Sequence, residues 1–303
     1  APAPGYPPGR APSLLEFVET GVDPLLWSER GETAVRLLTW NVNSVRLRLD
    51  LLRQVVERAQ PDVICLQEIK VVDELFPAEE CRALGYAHQA VHGMKSYNGV
   101  AILSKRPLRD VATPSWCGRD DRRHLVATVD GVEIHCLYVP AGGDVPDASL
   151  NDKFAHKLEF LRQVTAWYGE RYGAGDRVIL TGDLNIAPLD TDVWSHRQLL
   201  SVISHTPVEV ELLEAMRASL DWVDAVRHFV PADQRLYTWW SYRSPDWQKN
   251  DRGRRLDHVW VTPALRPALR SAQVLRDCRS WPQPSDHVPV LVDLETEGDA
   301  VAK

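Results

Sequence analysis

Residues 177–188 read Arg177-Val178-Ile179-Leu180-Thr181-Gly182-Asp183-Leu184-Asn185-Ile186-Ala187-Pro188. The apolar part, 177–181, is of strand type. It breaks at Gly-Asp, then delivers an amide before proline stops any regular element. Runs of the same kind recur along the chain at 35–40, 62–67, 99–104, 125–129, 132–139, 257–262 and 288–293. Along 132–139, Val132, Ile134, Cys136 and Tyr138 fall on one face and Glu133 and His135 on the other, the two-residue period of a strand. Amphipathic stretches lie between the runs. The clearest, 152–168, repeats Phe154, Leu158, Leu161, Thr165 and Tyr168 at helical spacing, with Asn151 placed as its N-cap. Two more helices are predicted over 46–58 and 208–220. Strands and helices alternate without the regularity of a doubly wound sheet, which predicts a mixed α/β (α+β) fold.

The chain has 303 residues, 44% hydrophobic and 25% charged. A length of ~150 residues per domain would suggest two domains. No repeat, charge run or flexible linker divides the body, so we read one domain over 34–297, with an N-terminal appendage (1–33) and a short tail (298–303). The appendage opens with a proline-rich arm (1–12), read as extended. After it, 13–27 is apolar enough for a short helix ended by Gly21. No apolar run reaches the ~18 residues of a membrane span, and no charged head precedes an apolar stretch at the N-terminus. The five cysteines, Cys65, Cys81, Cys117, Cys136 and Cys278, are odd in number and lack metal-type spacing. A reducing, cytoplasmic location is therefore expected. With no heptad or apolar seam, a monomer is expected as well. The net charge of −7 argues against a protein that coats nucleic acid indiscriminately. It does not exclude a nuclease, whose positive potential can be local.

Polar residues cluster at the ends of the strand-type runs: Asn41 and Asn43, Glu68, Tyr138, Asp183 and Asn185, Asp257, then Asp286 and His287. Strand ends are where a scaffold delivers side chains into a cleft. The acids and amides are hard oxygen donors, suited to Mg²⁺ or Mn²⁺ and not to zinc. Phosphodiester hydrolysis needs such a cation, an acid–base pair and donors for the phosphate oxygens. Taken one at a time, these residues have plainer readings. Asp183 suits a turn, Asn41 a helix cap, and Arg252, Arg254 and Arg255 a solvated basic face.

The ordered set is more specific. WNVNSVR (40–46), LQEIK (66–70), YNGVAILSK (97–105), YVP (138–140), GDLNIAP (182–188), YTWWSYR (237–243), RGRRLDHVW (252–260) and SDHVPV (285–290) together resemble the exonuclease III family of abasic-site endonucleases. That family lies within the endonuclease/exonuclease/phosphatase superfamily. The motifs span 35–293, and the segments around Asp190-Thr191-Asp192-Val193-Trp194 and His205-Thr206-Pro207 resemble the bacterial branch. The resemblance implies a four-layer sandwich of two β-sheets flanked by helices, like deoxyribonuclease I. It also implies magnesium-dependent incision 5′ to abasic sites in double-stranded DNA, 3′–5′ exonuclease action and clearing of blocked 3′ ends, in base excision repair.

By the same resemblance, Glu68, Asn41 and Asp286 hold the metal, and Asp183, Asn185 and His287 form a second cation site if there is one. Asp183 activates water beside Asn185, His287 with its partner Asp257 stabilises the phosphate, and Tyr138 donates to it. Trp239 lines a pocket for the flipped-out sugar, with Trp240 turned to the core. DNA contacts fall to Asn43, Arg46, Lys70 and Arg243, with Lys95 and 119–123 as further candidates. The sequence departs from the family where Ala141-Gly142-Gly143 follow YVP, in place of the usual Asn or Gln. It departs again at Ile69 and at His258, where an aromatic or aliphatic residue is usual. Two other readings stay open: a lipid or inositol phosphoesterase of the same superfamily, and a non-catalytic DNA-binding relative.

Overall fold

Alternation along the strands sets how the layers stack. The structure is a computed structural model that describes residues 34–244 and 246–295. The expected arm, its short helix and the tail lie outside those residues, as does the boundary at 297. The first half of the chain forms β1 (Ala34–Asn41), α1 (Leu49–Ala59), β2 (Val63–Gln67), α2 (Ala78–Ala83), β3 (His88–His92), β4 (Val100–Ser104), β5 (Arg109–Ala112), β6 (His124–Val129) and β7 (Val132–Tyr138). Next come α3 (Asp152–Arg171), β8 (Val178–Asp183), α4 (His196–Leu199), α5 (Pro207–Ala218), β9 (Val223–Asp224) and α6 (Ala225–Phe229). Last are β10 (Trp239–Trp240), α7 (Trp247–Asn250), β11 (Gly253–Arg254), β12 (Asp257–Val261), β13 (Leu269–Val274) and β14 (Val290–Glu295).

Two six-stranded sheets result, ordered β13-β14-β1-β2-β4-β3 and β5-β6-β7-β8-β12-β9, with β10 and β11 as a separate pair. Leu37, Cys65 and Ile102 of the first sheet pack against Leu125, Ile134, Cys136 and Val259 of the second. Their neighbours in sequence point the other way. Leu38, Leu66 and Ala101 receive Leu52 and Val55 of α1. Leu137, Leu180 and Trp260 receive Phe160 and Val164 of α3 and Leu213 and Met216 of α5. Helix, sheet, sheet, helix is the four-layer order, and each buried aliphatic side chain contributes about 1.5–3 kcal/mol to it.

Each sheet holds one parallel pair, β1 with β2 across α1 and β7 with β8 across α3. Parallel pairing aligns the carboxyl ends of both strands on one rim, where α/β sheets commonly place ligands. The second pair approaches so closely that Gly182, at φ +142°, is obligatory: a Cβ there would lie 1.9 Å from the Leu137 carbonyl oxygen. The contact fixes the register that puts Tyr138 beside Asp183.

Several boundaries differ from the sequence reading. The helix expected over 46–58 starts at Leu49, because Asn43 (φ 46°) and Ser44 (φ 83°) turn the chain first. Asn41 does not cap it. The strand expected over 288–293 starts at Val290, since Pro289 has no N–H and the Val288 N–H bonds to Thr238 O at 2.8 Å. Asn151 caps α3 as expected, accepting from Lys153 N. Helix α5 opens with Pro207 and a capping box between Thr206 and Glu209.

Candidate active site

Strand alternation turns Asn41, Tyr138, Asp183 and Asp257 to the space between the sheets, at the rim. Asp257 pairs with Asp183 across β12 and β8, and Asp183 with Tyr138 across β8 and β7, so the three stand in one row. Glu68 follows the end of β2 at φ 51°. Asp286 and His287 are carried by a segment bonded to the WW strand. Trp240 N donates to Asp286 O (3.0 Å), and Ser285 Oγ donates to Asn41 O (2.7 Å). Asn43, Ser44, Glu68, Lys70 and Asn185 all take left-handed backbone conformations without being glycine. Such strain costs about 1–3 kcal/mol per residue and gathers at functional sites.

The hydrogen bonds form one continuous net. Asp183 Oδ2 accepts from Asn41 Nδ2 (2.9 Å) and Asn185 Nδ2 (3.2 Å), and its Oδ1 accepts from Asn185 N (2.9 Å). Asn41 Nδ2 also donates to Glu68 Oε1 (2.8 Å), while its Oδ1 accepts from Asn43 N (3.1 Å). The amide thus presents hydrogens to the carboxylates, and ligation through its oxygen requires the group to turn over. Tyr138 Oη donates to Glu68 Oε1 (2.9 Å), and the Arg123 guanidinium lies 4.7 Å from the Tyr138 ring centre. His287 Nδ1 is 2.8 Å from Asp257 Oδ2, and its Nε2 is 3.6 Å from Asp183 Oδ2.

Charges at the site follow from this packing. Burial opposes the charged form of His287, but Asp257 and Asp183 outweigh it and hold the ring up to about 10. Burial pushes Asp183 up to about 7; His287 works against that rise and Asp257 with it. Burial also works against the Glu68 charge, yet Lys70, 2.8 Å from Glu68 Oε2, and the Asn41 amide keep it below the usual value. Burial and the charge of Glu68 raise the Tyr138 phenol well above its ordinary value, so it is a donor and not an anion. Asp286 is half-buried, which works against its charge, but His287, Trp239 Nε1 (3.0 Å) and Asn43 Nδ2 (3.0 Å) keep it below the usual carboxylate value.

Carboxylates therefore outnumber cations on the floor of the cleft. Asp257 Oδ1 is buried and has no hydrogen-bond partner among the described residues. The ligand atoms of Asp183, Asp257 and His287 all lie within 4.8 Å of one another. With His287 held protonated, the donors left for a cation are the carboxylates of Glu68, Asp183, Asp257 and Asp286, an oxygen-rich set with one unpartnered acceptor that fits a hard divalent cation.

Above this floor opens a cleft of about 760 Å³, walled by Trp194, Ser204, Trp239, Arg243, Arg252 and Arg254. Trp239 faces the cleft while Trp240 is 1% exposed. Ala141 and Gly143 border the opening, and the Lys157 ammonium braces the wall beneath by donating to Asn185 O (2.8 Å). Arg46 and Arg243 are exposed. Lys70 and Asn43 are instead engaged with the site itself, Lys70 Nζ lying 2.6 Å from Asn43 Oδ1.

The basic run over 252–255, which taken alone reads as a solvated face, divides between the cleft and the interior. Arg252 lies over Trp194 (4.7 Å) and Arg254 over Trp239 (5.2 Å), both lining the cleft. Arg255 is 2% exposed and pairs with Asp192 (3.0 Å) and Asp224 (2.6 Å). Arg123, within the 119–123 stretch expected to meet DNA, instead packs on the Tyr138 ring. Trp194 and Ser204 lie in segments that resemble the bacterial branch but had no site role assigned; the fold brings both to the cleft.

Residues 38–287 match the family described as Endonuclease/Exonuclease/phosphatase. The chain is 28% identical over 270 residues to exodeoxyribonuclease III of Haemophilus influenzae, with 86% of this chain and all of the relative covered. An AP endonuclease from Archaeoglobus fulgidus superposes with a TM-score of 0.81 at 28% identity, covering 86% of this chain and 100% of the other. The 3′ phosphatase NExo from Neisseria, solved bound to a product DNA hairpin, gives 0.79 at 31% identity, covering 86% and 99%. A carboxylate–imidazole row at the rim of two facing sheets, in a chain whose match runs almost the length of the described body, has one assignment: the chain is an enzyme of the endonuclease/exonuclease/phosphatase family.

Proposed function

We propose that the chain is a DNA-repair phosphodiesterase that cuts the backbone 5′ to abasic sites, trims 3′ strands of duplex DNA and clears blocked 3′ ends. The observation that carries this reading is the row Asp257–His287–Asp183 on the floor of a cleft walled by Trp239 and Arg254. The similar proteins named above are an exodeoxyribonuclease, an AP endonuclease and a 3′ phosphatase.

Each residue has a role its surroundings suit. Glu68 and Asp286, with the Asn41 amide turned over, would hold a divalent cation of the Mg²⁺ or Mn²⁺ type. That cation, when bound, supplies Lewis-acid stabilisation of charge on the phosphate and the leaving oxygen. Asp183, poised near neutrality, takes the proton of the attacking water, and Asn185 fixes its carboxylate through two hydrogen bonds. His287 donates from Nε2 to a phosphate oxygen, kept charged and oriented by Asp257 at Nδ1. Tyr138 donates to the phosphate or the departing oxygen. Trp239 walls the pocket for the extruded sugar. An abasic nucleotide has no base to unstack, so flipping it costs little. Arg243, Arg252, Arg254 and the exposed Arg46 suit the DNA backbone. Lys70 and Asn43 act through Glu68 and Asp286.

The body over 34–297 works as one catalytic unit and as a monomer, on DNA in the cytoplasm. Among the described residues no helix is long and apolar enough to cross a membrane. The decisive experiment is a labelled duplex carrying one abasic analogue, with Mg²⁺ and with EDTA, alongside Asp183→Asn. Metal-dependent incision lost in the variant supports the reading. Nibbling from 3′ ends alone would restrict it to an exonuclease. No cleavage in any lane would return the choice to small phosphoesters or to a binding protein.

A further inference from the structure

A second set of metal-type side chains lies behind the cleft wall, away from the catalytic row. Asp190, His196 and His205 bring one oxygen and two imidazole nitrogens within 4.8 Å of one another. His196 Nδ1 is 2.8 Å from His205 Nε2 and 2.9 Å from Asp190 Oδ1.

Proton bookkeeping distinguishes this set from an ordinary hydrogen-bonded pair. His205 Nδ1 lies 2.6 Å from the Ala187 carbonyl oxygen, which can only accept, so the ring hydrogen sits on Nδ1. Nε2 is left as a lone pair aimed at His196. Asp190 Oδ1 is a second lone pair aimed at the same nitrogen. With neutral rings, at most one hydrogen, that on His196 Nδ1, is shared between two acceptor atoms. A backbone carbonyl that fixes the far nitrogen of a histidine is the usual outer-shell support of a metal ligand. His205 is 2% exposed and so is held rigidly. The Asp190 and His196 side chains are 73% and 43% exposed, which leaves the remaining coordination positions open to water.

We infer that Asp190, His196 and His205 form a binding site for a borderline-soft divalent cation of the Zn²⁺ class. Two imidazoles and one carboxylate match that ion better than Mg²⁺. Ligand atoms of a tetrahedral zinc ion stand about 3.3 Å apart, so His196 Nδ1 needs to move only about half an ångström from each of its two neighbours, and all three donors already lie within 4.8 Å of one another.

The location gives the ion a job. Between Asp190 and His205 runs the segment that carries Trp194 and Ser204 into the cleft wall. Its backbone is pinned at Ala187 N to Ser204 O (2.8 Å) and Trp194 N to Gly253 O (3.1 Å). A cation on the three side chains clamps the beginning, middle and end of that segment. The inference does not depend on the nuclease reading.

The test uses the full chain stripped of metal and titrated with Co²⁺. A tetrahedral nitrogen–oxygen site gives intense visible bands, whereas an oxygen-rich site of the Glu68–Asp286 kind gives weak ones. The expected result is one equivalent of the intense species, displaced by Zn²⁺, retained in Asp183→Asn, weakened at least tenfold in Asp190→Asn and lost in His196→Ala. Zn²⁺ should raise the melting temperature of the unmodified chain and not that of His196→Ala. His196 is partly exposed, so that variant tests binding without emptying the core. An unmodified chain without the intense bands would overturn the proposal, because the three residues would then be a metal-free hydrogen-bonded relay. Bands that persist in His196→Ala, or vanish in Asp183→Asn, would overturn it by placing the ion elsewhere.

Discussion

His287 Nδ1 lies 2.8 Å from Asp257 Oδ2 with both side chains buried, and that contact decides the charge of the ring. In the proposed mechanism Asp183 loses a proton to act and His287 keeps one. Activity therefore rises with pH through an acid limb at or below about 7 and falls through an alkaline limb near about 10. Saturating metal moves the acid limb lower, since a nearby cation favours the ionised carboxylate. Asp257→Asn removes the strongest attraction on the imidazolium. A pH–rate profile of this variant should show the alkaline limb shifted toward neutrality and a maximal rate lower by about 10²–10⁴-fold. An unmoved alkaline limb would assign that ionisation to another group.

Lys70 stands 2.8 Å from Glu68 and supplies positive charge where a metal would. Replacing it with alanine should lower the Mg²⁺ concentration for half-maximal cleavage by roughly fivefold, equivalent to about 1 kcal/mol for a partly exposed pair. Glu68→Gln should raise it. Metal titrations of the two variants check the opposite signs.

Trp239 contributes a ring to the cleft and an N–H to Asp286 at 3.0 Å. Trp239→Phe loses the second and keeps most of the first, whereas Trp239→Ala loses both. Incision at an abasic analogue should fall about 10–100-fold in the alanine variant, in line with the cost of a lost stacking surface. The phenylalanine variant should fall much less, and metal affinity should weaken by the same smaller factor in both, since both lose the N–H to Asp286. Single-turnover rates and a metal titration separate these effects.

The Lys157–Glu209 pair is fully buried, and Lys157 also holds the carbonyl of Asn185. Lys157→Met leaves a buried carboxylate without its counter-ion and should cost about 3–5 kcal/mol in urea unfolding. Adding Glu209→Gln should recover part of that loss. If the double variant is no more stable than the single one, the carboxylate is not the source of the cost.

Burial and the nearby Arg255 depress His258 to about 4. The folded state thus prefers the neutral ring, whose Nε2–H donates to Ile186 O at 2.8 Å. Stability is complete above the unfolded value of about 6.5 and is lost as pH falls toward 4, by on the order of 3 kcal/mol. His258→Phe should flatten that part of the stability curve. Urea melts at pH 7, 5 and 4 measure it.

The polar residues at the strand ends were legible because a two-residue period and an abrupt change of polarity mark where a strand meets the rim. Asn41, Glu68, Tyr138, Asp183, Asp257 and His287 were all found in this way or through the motifs around them. Strands β3 and β13 were not: His88, Gln89, Arg270 and Gln273 interrupt their apolar pattern, and only pairing with β4 and β14 makes them strands. The run over 252–255 shows the same limit. Composition shows four residues with three positive charges, and the fold sends Arg255 inward to two aspartates while Arg252 and Arg254 go to tryptophans. The cluster at Asp190, His196 and His205 has no helical spacing, so its members meet only once the segment folds back.

Strand β14 lies inside its sheet, between β13 and β1, although it is made near the end of the described chain. His287, just before it, is the last member of the catalytic row to be translated. A polypeptide still on the ribosome, or broken off before position 287, lacks the imidazole and leaves β1 with an open edge. On the proposed mechanism such a product cannot cut DNA, and its open edge makes it prone to stick to its neighbours. On that mechanism the order of synthesis withholds cleavage until β14 can join its sheet.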